Sequence, residues 1–223
     1  MIITASGGPF FKLKNTNLKK TPKLATNHPN WKMGKKISTD SATLMNKVFE
    51  VIEANKIFNI NLNKFKILIH PKSYIHAIVK FNNGLIKIVA HDTDMKIPIF
   101  NSIYDNIDKK YKSKKINLKI LNNLDFNKVD KRKYPSIEIL KKVTNKNTLF
   151  ETLLVSINDE LVNLFLENKI SFEDISKKLK QILNNKDFSK YKHKKVNNLA
   201  QIEKLNEFVR LKTKSLSVIS KSK

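Results

Sequence analysis

The chain has 223 residues, 40% of them hydrophobic, which suits one large domain or two small ones with a real core and excludes a disordered chain. The absence of cysteine excludes disulfides and thiolate metal sites and favours a reducing, cytoplasmic compartment, and no apolar run is long enough to cross a membrane. The formal net charge of +25 comes almost entirely from lysine, so we interpret it as a solvated surface and expect neither nucleic acid nor a membrane as a partner.

The first helix is predicted after a loop-rich stretch at residues 1–36. That stretch contains the glycine turn "SGGPF" at residues 6–10, preceded by "IITA", which has the pattern of a strand. Residues 40–58 are predicted to form one helix, because Leu44, Val48, Val51 and Ile52 recur at helical spacing.

Strands are expected next. "FKILIH", "IHAIVKF" and "LIKIVAH" have strand composition, and "NNG" at residues 82–84 separates the last two as a hairpin turn. Residues 1–104 are therefore predicted to form a catalytic α/β domain with a mixed sheet and a flexible lid loop.

Residues 105–134 are charged and weakly patterned, and we interpret them as a linker. Amphipathic helices follow: one has Leu154, Ile157 and Leu161 on its apolar stripe, and the next opens with a capping box at Ser171 and Asp174. The expected class is α+β/α/β, with a C-terminal helical bundle over residues 135–223.

One face of the predicted helix at 40–58 carries Asn46, Lys47 and Glu50, with hydroxyls at its start, including Ser41. Amide, ammonium and hydroxyl donors near free backbone N–H groups suit an anion such as phosphate. A carboxylate beside them is a ligand that hard cations prefer. On pattern alone, an ordinary solvated helix face with a lysine–glutamate pair fits as well.

The loop "NHPNWKMGKK" at residues 27–36 places Trp31 and Met33 among polar residues. Large apolar side chains on such a loop are typical of a lid, although Trp31 as a simple anchor to the core fits equally. His28 is a candidate for a phosphate contact or a proton shuttle.

Several of these segments resemble one family, the 1-deoxy-D-xylulose 5-phosphate reductoisomerases. The similar segments are "ASGGPF", "HPNWKMGKKISTDSATLMNKVFEVIEA", "IHPKSYIH" and "DMKIPI", in the family's order. "YPSIEIL" and "FLENKISFEDI" extend the resemblance more weakly into the helical part. It covers essentially the whole chain, but only the family's catalytic and C-terminal parts.

The resemblance implies an oxidoreductase and isomerase of the non-mevalonate isoprenoid pathway. Such an enzyme rearranges 1-deoxy-D-xylulose 5-phosphate, a phosphosugar, and reduces it to 2-C-methyl-D-erythritol 4-phosphate. The implied cofactors are NADPH and a divalent cation (Mn, Mg or Co), and the implied assembly is a homodimer.

The resemblance also implies roles for individual residues. Glu50, His28 and Lys47 would be catalytic, and Glu50 would be a metal ligand. Trp31 and Met33 would form the lid's cover, and Gly34 would lie against NADPH. The residues implied to bind the substrate and its phosphate are Ser6, His28, Ser41, Asn46, Lys47 and Glu50.

The sequence departs from the family's pattern in three respects. Val48 and His91 each stand where the family usually has glycine, and residues 153–161 follow the family's helix only loosely. No G-x-G-x-x-G turn follows a strand, and the family's NADPH-binding domain and Asp-Ser-Glu metal motif are expected upstream of Met1. We therefore expect this chain alone to be inactive; the alternative is a non-catalytic remnant that binds a phosphorylated ligand or serves as an interaction or dimerisation module.

Overall fold

A computed structural model describes residues 1–13, 18–31, 33–104 and 109–218. A five-stranded mixed sheet lies at one end of the molecule, with strand order β4-β3-β1-β2-β5. Strand β1 is central: it pairs in parallel with β2 and antiparallel with β3. The strands are β1 (Ile2–Ala5), β2 (Lys66–Ile69), β3 (Ile75–Lys80), β4 (Ile86–Ala90) and β5 (Asn127–Lys128). The predicted hairpin is confirmed, because β3 and β4 pair antiparallel around Gly84, whose φ is +87°.

Helices make up most of the remaining secondary structure, and the chain after β5 is mainly helical. They are α1 (Pro22–Ala25), α2 (Lys35–Thr43), α3 (Met45–Phe58), α4 (Lys96–Ile103), α5 (Leu118–Leu121), α6 (Phe150–Leu166), α7 (Phe172–Leu183), α8 (Lys186–Ser189) and α9 (Leu199–Val218). Short 3-10 helices cover Leu62–Lys64, Pro135–Lys142 and Lys190–Lys192. None of the helices in the described ranges is long and apolar enough to cross a membrane.

The prediction of one continuous helix over residues 40–58 is wrong. Helix α2 ends at Thr43, Leu44 adopts a left-handed conformation with φ +60°, and α3 starts anew at Met45. Apolar periodicity could not reveal this break, because Leu44 and Val48 are both buried and keep the helical spacing across it. The left-handed conformation of Leu44 is strained for a residue with a side chain, and burial of that side chain in the core offsets the cost.

One large apolar cluster joins α3 to the C-terminal helices α6, α7 and α9. The predicted stripe of α6 is confirmed: Leu154, Ile157 and Leu161 are fully buried. The capping box at the start of α7 is also present, because Ser171 and Asp174 bond each other's backbone N–H groups. Val48 lies in this cluster with no exposed surface, so its side chain packs in the core and does not line the cavity described below.

The segment predicted to be a linker begins at residues 105–108, which lie outside the described residues. Its later part contains α5 and β5, and β5 pairs antiparallel with β2. Tyr134 at its end is buried, and its hydroxyl donates a hydrogen bond to the carbonyl of Gly7 at 2.7 Å. This contact ties the end of the segment to the glycine turn after β1.

Candidate functional site

A cavity of about 340 Å³ lies where the end of β1, the loop before α2, and the α2–α3 junction meet. The predicted site residues that line it are Ser6, His28, Trp31, Met33, Ser41, Asn46, Lys47 and Glu50. The exception is Gly34, which caps α2 and lines a neighbouring opening with Trp31 and Met33. The fold therefore brings together residues that are up to 44 positions apart in the sequence (from Ser6 to Glu50).

The glycine turn after β1 brings Ser6 close to α2. Gly7 and Gly8 have φ values of +84° and +66°, which side-chain-bearing residues rarely adopt. A Cβ on Gly8 would lie 2.8 Å from the carbonyl oxygen of Ser41. Glycine is needed here because the turn packs directly against the end of the helix that carries Ser41.

Ser6 and His28 form a hydrogen-bonded pair at the cavity wall. His28 Nδ1 accepts bonds from the N–H groups of Asn30 and Trp31 at 3.1 and 3.0 Å, so the neutral ring carries its proton on Nε2. That Nε2–H group donates to Ser6 Oγ at 2.9 Å, and the Gly8 N–H donates to the same oxygen at 3.1 Å. The Ser6 hydroxyl thus accepts two bonds, and its own hydrogen is left to donate to a third group.

The charge state of His28 follows from its surroundings. Burial, with a smaller contribution from the nearby Lys47 ammonium, lowers the pKa of His28 to about 4. The ring is therefore neutral at pH 7, as its hydrogen bonds require. In this arrangement His28 fixes the direction of the Ser6 hydroxyl and does not itself supply positive charge.

The start of α3 faces the cavity because of the break at Leu44. Asn46 and Lys47 lie in the first turn of this 14-residue helix, where free N–H groups and the helix dipole favour an anion. The prediction that Ser41 lies at such a helix start is wrong, since Ser41 lies near the end of α2. The Lys47 ammonium donates to both carboxylate oxygens of Glu50, at 2.7 and 2.8 Å.

Helix α2 is held in place by a charged network that reaches the C-terminal helices. The buried Asp40 carboxylate contacts the Lys36 ammonium at 2.8 Å and accepts a bond from the Asn158 amide at 2.8 Å. Lys36 also contacts Asp159, which accepts a bond from Arg210 on α9 at 2.7 Å. The residue before Ser41 is therefore bonded to α6.

Burial dominates the electrostatics of this network. Desolvation raises the pKa of Asp40 above its usual range, although Lys36 and Asn158 act in the opposite sense. For Lys36, burial alone would lower the pKa, but Asp40 and Asp159 outweigh it and raise the pKa. The ammonium is thus firmly charged and holds the two carboxylates together.

The loop with Trp31 is attached to the sheet through Asn30. Its amide donates to the Pro71 carbonyl at 2.8 Å and to Ser73 Oγ at 2.9 Å, between β2 and β3. Trp31 and Met33 are half-buried over the cavity. The loop's opening and closing as a lid stays a prediction.

Several residues that were not among the predicted site residues also line the cavity: Thr4, Ile37, Ser73, His76, His91, Met95 and Pro98. Of these, His76 and His91 stack with ring centroids 3.7 Å apart. The predicted hairpin placed both residues near the same end of the two strands, but a regular register does not pair them, and the irregularity between Ile75 and Ala77 lies at His76. His70, also in a family motif, is fully buried and donates from Nδ1 to the Asp125 carbonyl, outside the cavity lining.

The residues present do not by themselves fit either cofactor that the resemblance implies. Glu50 is the one carboxylate lining the cavity in the described part of the chain, and a hard divalent cation needs several oxygen ligands. Within residues 1–13, 18–31, 33–104 and 109–218, no three His, Asp or Glu side chains are grouped to hold a metal. The sequence has four glycines and no dinucleotide-binding fingerprint for NADPH.

Comparison with known proteins identifies the family. Residues 1–58 match a family model described as the 1-deoxy-D-xylulose 5-phosphate reductoisomerase C-terminal domain, and residues 91–212 match one described as the DXP reductoisomerase C-terminal domain. The chain belongs to the 1-deoxy-D-xylulose 5-phosphate reductoisomerase family. The reductoisomerase of Pelagibacter ubique is 59% identical over 220 residues, which are 97% of this chain and 56% of that protein. That of Persephonella marina is 42% identical over 85% of this chain and 51% of its own length.

Solved reductoisomerase structures share the fold. A complex described as DOX-P reductoisomerase with NADPH, fosmidomycin and magnesium aligns with a TM-score of 0.89 and 30% identity, over 99% of this chain and 55% of its own. The Zymomonas mobilis reductoisomerase in complex with NADPH aligns with a TM-score of 0.83 and 31% identity, over 97% of this chain and 55% of its own. The chain spans about half the length of the reductoisomerases that it matches.

Proposed function

We propose that this chain forms the phosphate-binding part of a 1-deoxy-D-xylulose 5-phosphate reductoisomerase. The complete enzyme would carry out the NADPH-dependent rearrangement and reduction to 2-C-methyl-D-erythritol 4-phosphate. The observation that carries the proposal is the convergence of Ser6, Ser41, Asn46 and Lys47 on one cavity at the start of α3. Two hydroxyls, an amide and an ammonium beside a helix N-terminus are suited to a phosphate dianion.

Each of these side chains would contribute differently to phosphate binding. Ser6 would donate its hydroxyl hydrogen, because His28 and Gly8 already occupy its acceptor positions. Lys47 would supply the positive charge, and a bound phosphate would compete with Glu50 for its ammonium. Trp31 and Met33 would cover the ligand and exclude water.

We propose that Glu50 contributes one metal ligand and that the cavity edge near Gly34 adjoins NADPH. Since the residues of this chain alone do not complete either site, we expect no turnover by the 223-residue chain. The test is NADPH oxidation with 1-deoxy-D-xylulose 5-phosphate and Mg²⁺ or Mn²⁺, using the chain alone and mixed with the N-terminal part of the Pelagibacter ubique reductoisomerase. Activity of the chain alone would overturn the expected incompleteness; activity of the mixture only would support the proposal.

Phosphate binding is tested directly by calorimetry with 1-deoxy-D-xylulose 5-phosphate and with inorganic phosphate. Replacing Lys47 by Gln should weaken the affinity of either ligand at least about tenfold, because a charge-assisted hydrogen bond is lost. Lys64→Gln is the matched control: Lys64 is exposed and does not line the cavity, and its replacement removes the same charge. Equal losses in both variants would mean that only the general lysine charge attracts the ligand.

We also propose that the enzyme is a homodimer and that the β3–β4 hairpin contributes to its interface. Strand β4 is an edge strand whose five residues are all exposed, including Ile86, Ile88 and Val89. An exposed apolar edge is typically covered by another chain. Ile88→Lys should shift the mass measured by light scattering from dimer to monomer, and Ile57→Lys, at the exposed end of α3, should not. A monomeric parent protein would refute this part of the proposal.

The remaining assignments stay proposals of the same kind. We propose a catalytic α/β domain at residues 1–104, a linker at 105–134 and a helical domain at 135–223, in a cytoplasmic enzyme. Residues of α3 and of the C-terminal helices share one apolar cluster, which supports the proposal that the two domains together position the binding site.

A further inference from the structure

Three rings from different parts of the chain meet at one wall of the cavity. The His76 ring on β3 stacks on the ring of His91, which follows β4, with centroids 3.7 Å apart and planes 16° apart. The Trp31 ring, from the loop before α2, meets His76 edge-on with centroids 6.0 Å apart. His76 is thus a second contact, beside the hydrogen bonds of Asn30, between the sheet and the loop that covers the cavity.

Hydrogen bonds fix both imidazole rings. His76 Nε2–H donates to the backbone carbonyl of His91 at 3.1 Å, and His91 Nδ1–H donates to the backbone carbonyl of Asp92 at 2.7 Å. Since a carbonyl oxygen only accepts, the proton positions on both rings follow. The bond from His76 goes to the main chain at position 91, so it survives any side-chain replacement there, whereas the ring stack does not.

We infer that His91 is a positioning residue of the candidate site. Its ring holds the His76 ring in the orientation on which Trp31 rests, and so keeps the loop of His28 and Trp31 over the cavity. The inference rests on the proposed function only in the identity of the ligand beneath the loop; the ring contacts are independent of it.

The lone tryptophan gives a direct readout, because all tryptophan fluorescence of the chain comes from Trp31. His91→Ala removes the stacked ring but leaves the carbonyl that His76 bonds. We expect its Trp31 emission to shift to longer wavelength and acrylamide quenching to rise about threefold, the loss expected for one aromatic pair. The affinity for 1-deoxy-D-xylulose 5-phosphate should fall by about the same factor.

Two further variants make the test specific. His91→Phe keeps a flat ring and loses both ring nitrogens, so it should match the parent in quenching and affinity. His193→Ala deletes an exposed histidine far along the chain and should change neither. Circular dichroism confirms that each variant is folded before quenching is compared.

The outcomes separate this inference from the proposed function. If His91→Ala leaves Trp31 as protected as in the parent, or if His91→Phe exposes Trp31 as much as alanine does, the inference is wrong. If the parent binds no sugar phosphate but His91→Ala still exposes Trp31 and His91→Phe does not, the positioning role holds and the proposed function fails.

Discussion

The two ends of this molecule bury opposite kinds of side chain. Around the cavity, the interior is polar, with Thr4, His28, Asp40 and Ser41 all buried. Between α6, α7 and α9 most of the buried side chains are aliphatic or aromatic, and the buried polar ones of these helices are Ser156, Asn158, Thr213 and Ser217. Burying polar groups opposes folding unless each is bonded, whereas burying apolar groups favours it. The helical end therefore stabilises the chain. The buried polar groups around the cavity lower that stability and hold the site in a fixed arrangement.

The largest effect is expected where the apolar interior is broken. Leu161→Ala, at a fully buried position of α6, should lower the free energy of unfolding by about 3–4 kcal/mol through lost burial and a cavity. Val155→Ala on the exposed side of the same helix should cost less than about 0.5 kcal/mol. Urea unfolding measures both, and phosphate affinity should be unchanged in either folded variant. A large loss of affinity in folded Leu161→Ala would contradict the division between the two ends.

Acid should destabilise the polar end. His28 and His76 both have pKa values lowered to about 4, chiefly by burial, so the unfolded chain binds their protons first as the pH falls. Stability should therefore decrease from about pH 6.5 to about pH 4, by about 3 kcal/mol for His28 and less for the half-buried His76. Asp40, with its raised pKa, acts in the opposite sense.

Unfolding free energies measured in urea across this pH range test the expectation. The double variant His28→Gln, His76→Phe should show a flatter pH profile than the parent. Identical slopes in the two proteins would show that other groups control the acid response.

The junction between the two ends should respond in both stability and binding. Asp40→Asn removes the buried charge that Lys36 faces, and we expect a loss of about 2 kcal/mol in unfolding free energy. Phosphate affinity should also fall, since Ser41 is the next residue. Arg210→Gln changes the more exposed end of the same network and should cost less than about 1 kcal/mol with no change in affinity. Equal effects of the two variants in calorimetry and urea unfolding would argue against a role for Asp40 in orienting Ser41.

The smallest effect is expected at a local feature of the helical end. Ser171→Ala removes the side chain that accepts the Asp174 N–H at 3.2 Å and should cost about 1 kcal/mol. Ser171→Asp keeps an acceptor at the cap and should restore most of that stability. Thermal unfolding followed by circular dichroism distinguishes the two, and a neutral Ser171→Ala would mean that packing alone defines the start of α7.

The elements that were predicted correctly are those with a local signal. The stripe of α6, the capping box at Ser171 and the hairpin turn at Gly84 each follow from spacing and residue type within a few positions. The parallel pairing of β1 with β2 joins segments about 60 residues apart, and no local pattern specifies it.

The candidate site could be predicted only partly, for a similar reason. Ser41, Asn46 and Lys47 were recognised from their types and spacing, but the break at Leu44 was not, because neither glycine nor proline marks it. The tertiary core keeps Leu44 buried and so overrides its backbone preference. His91 was seen only as a departure from the family's pattern; its contact with His76 required the bulged register between β3 and β4.

The left-handed residue between α2 and α3 has a consequence for how this sequence can vary in length. Each residue of an α-helix turns the chain by about 100°, so one residue added or removed near Leu44 would swing Asn46 and Lys47 away from Ser41. A residue added at the exposed turn of Asn82 and Gly84 changes no such angle. Natural insertions and deletions should therefore accumulate at the hairpin tip and be absent from the helix junction.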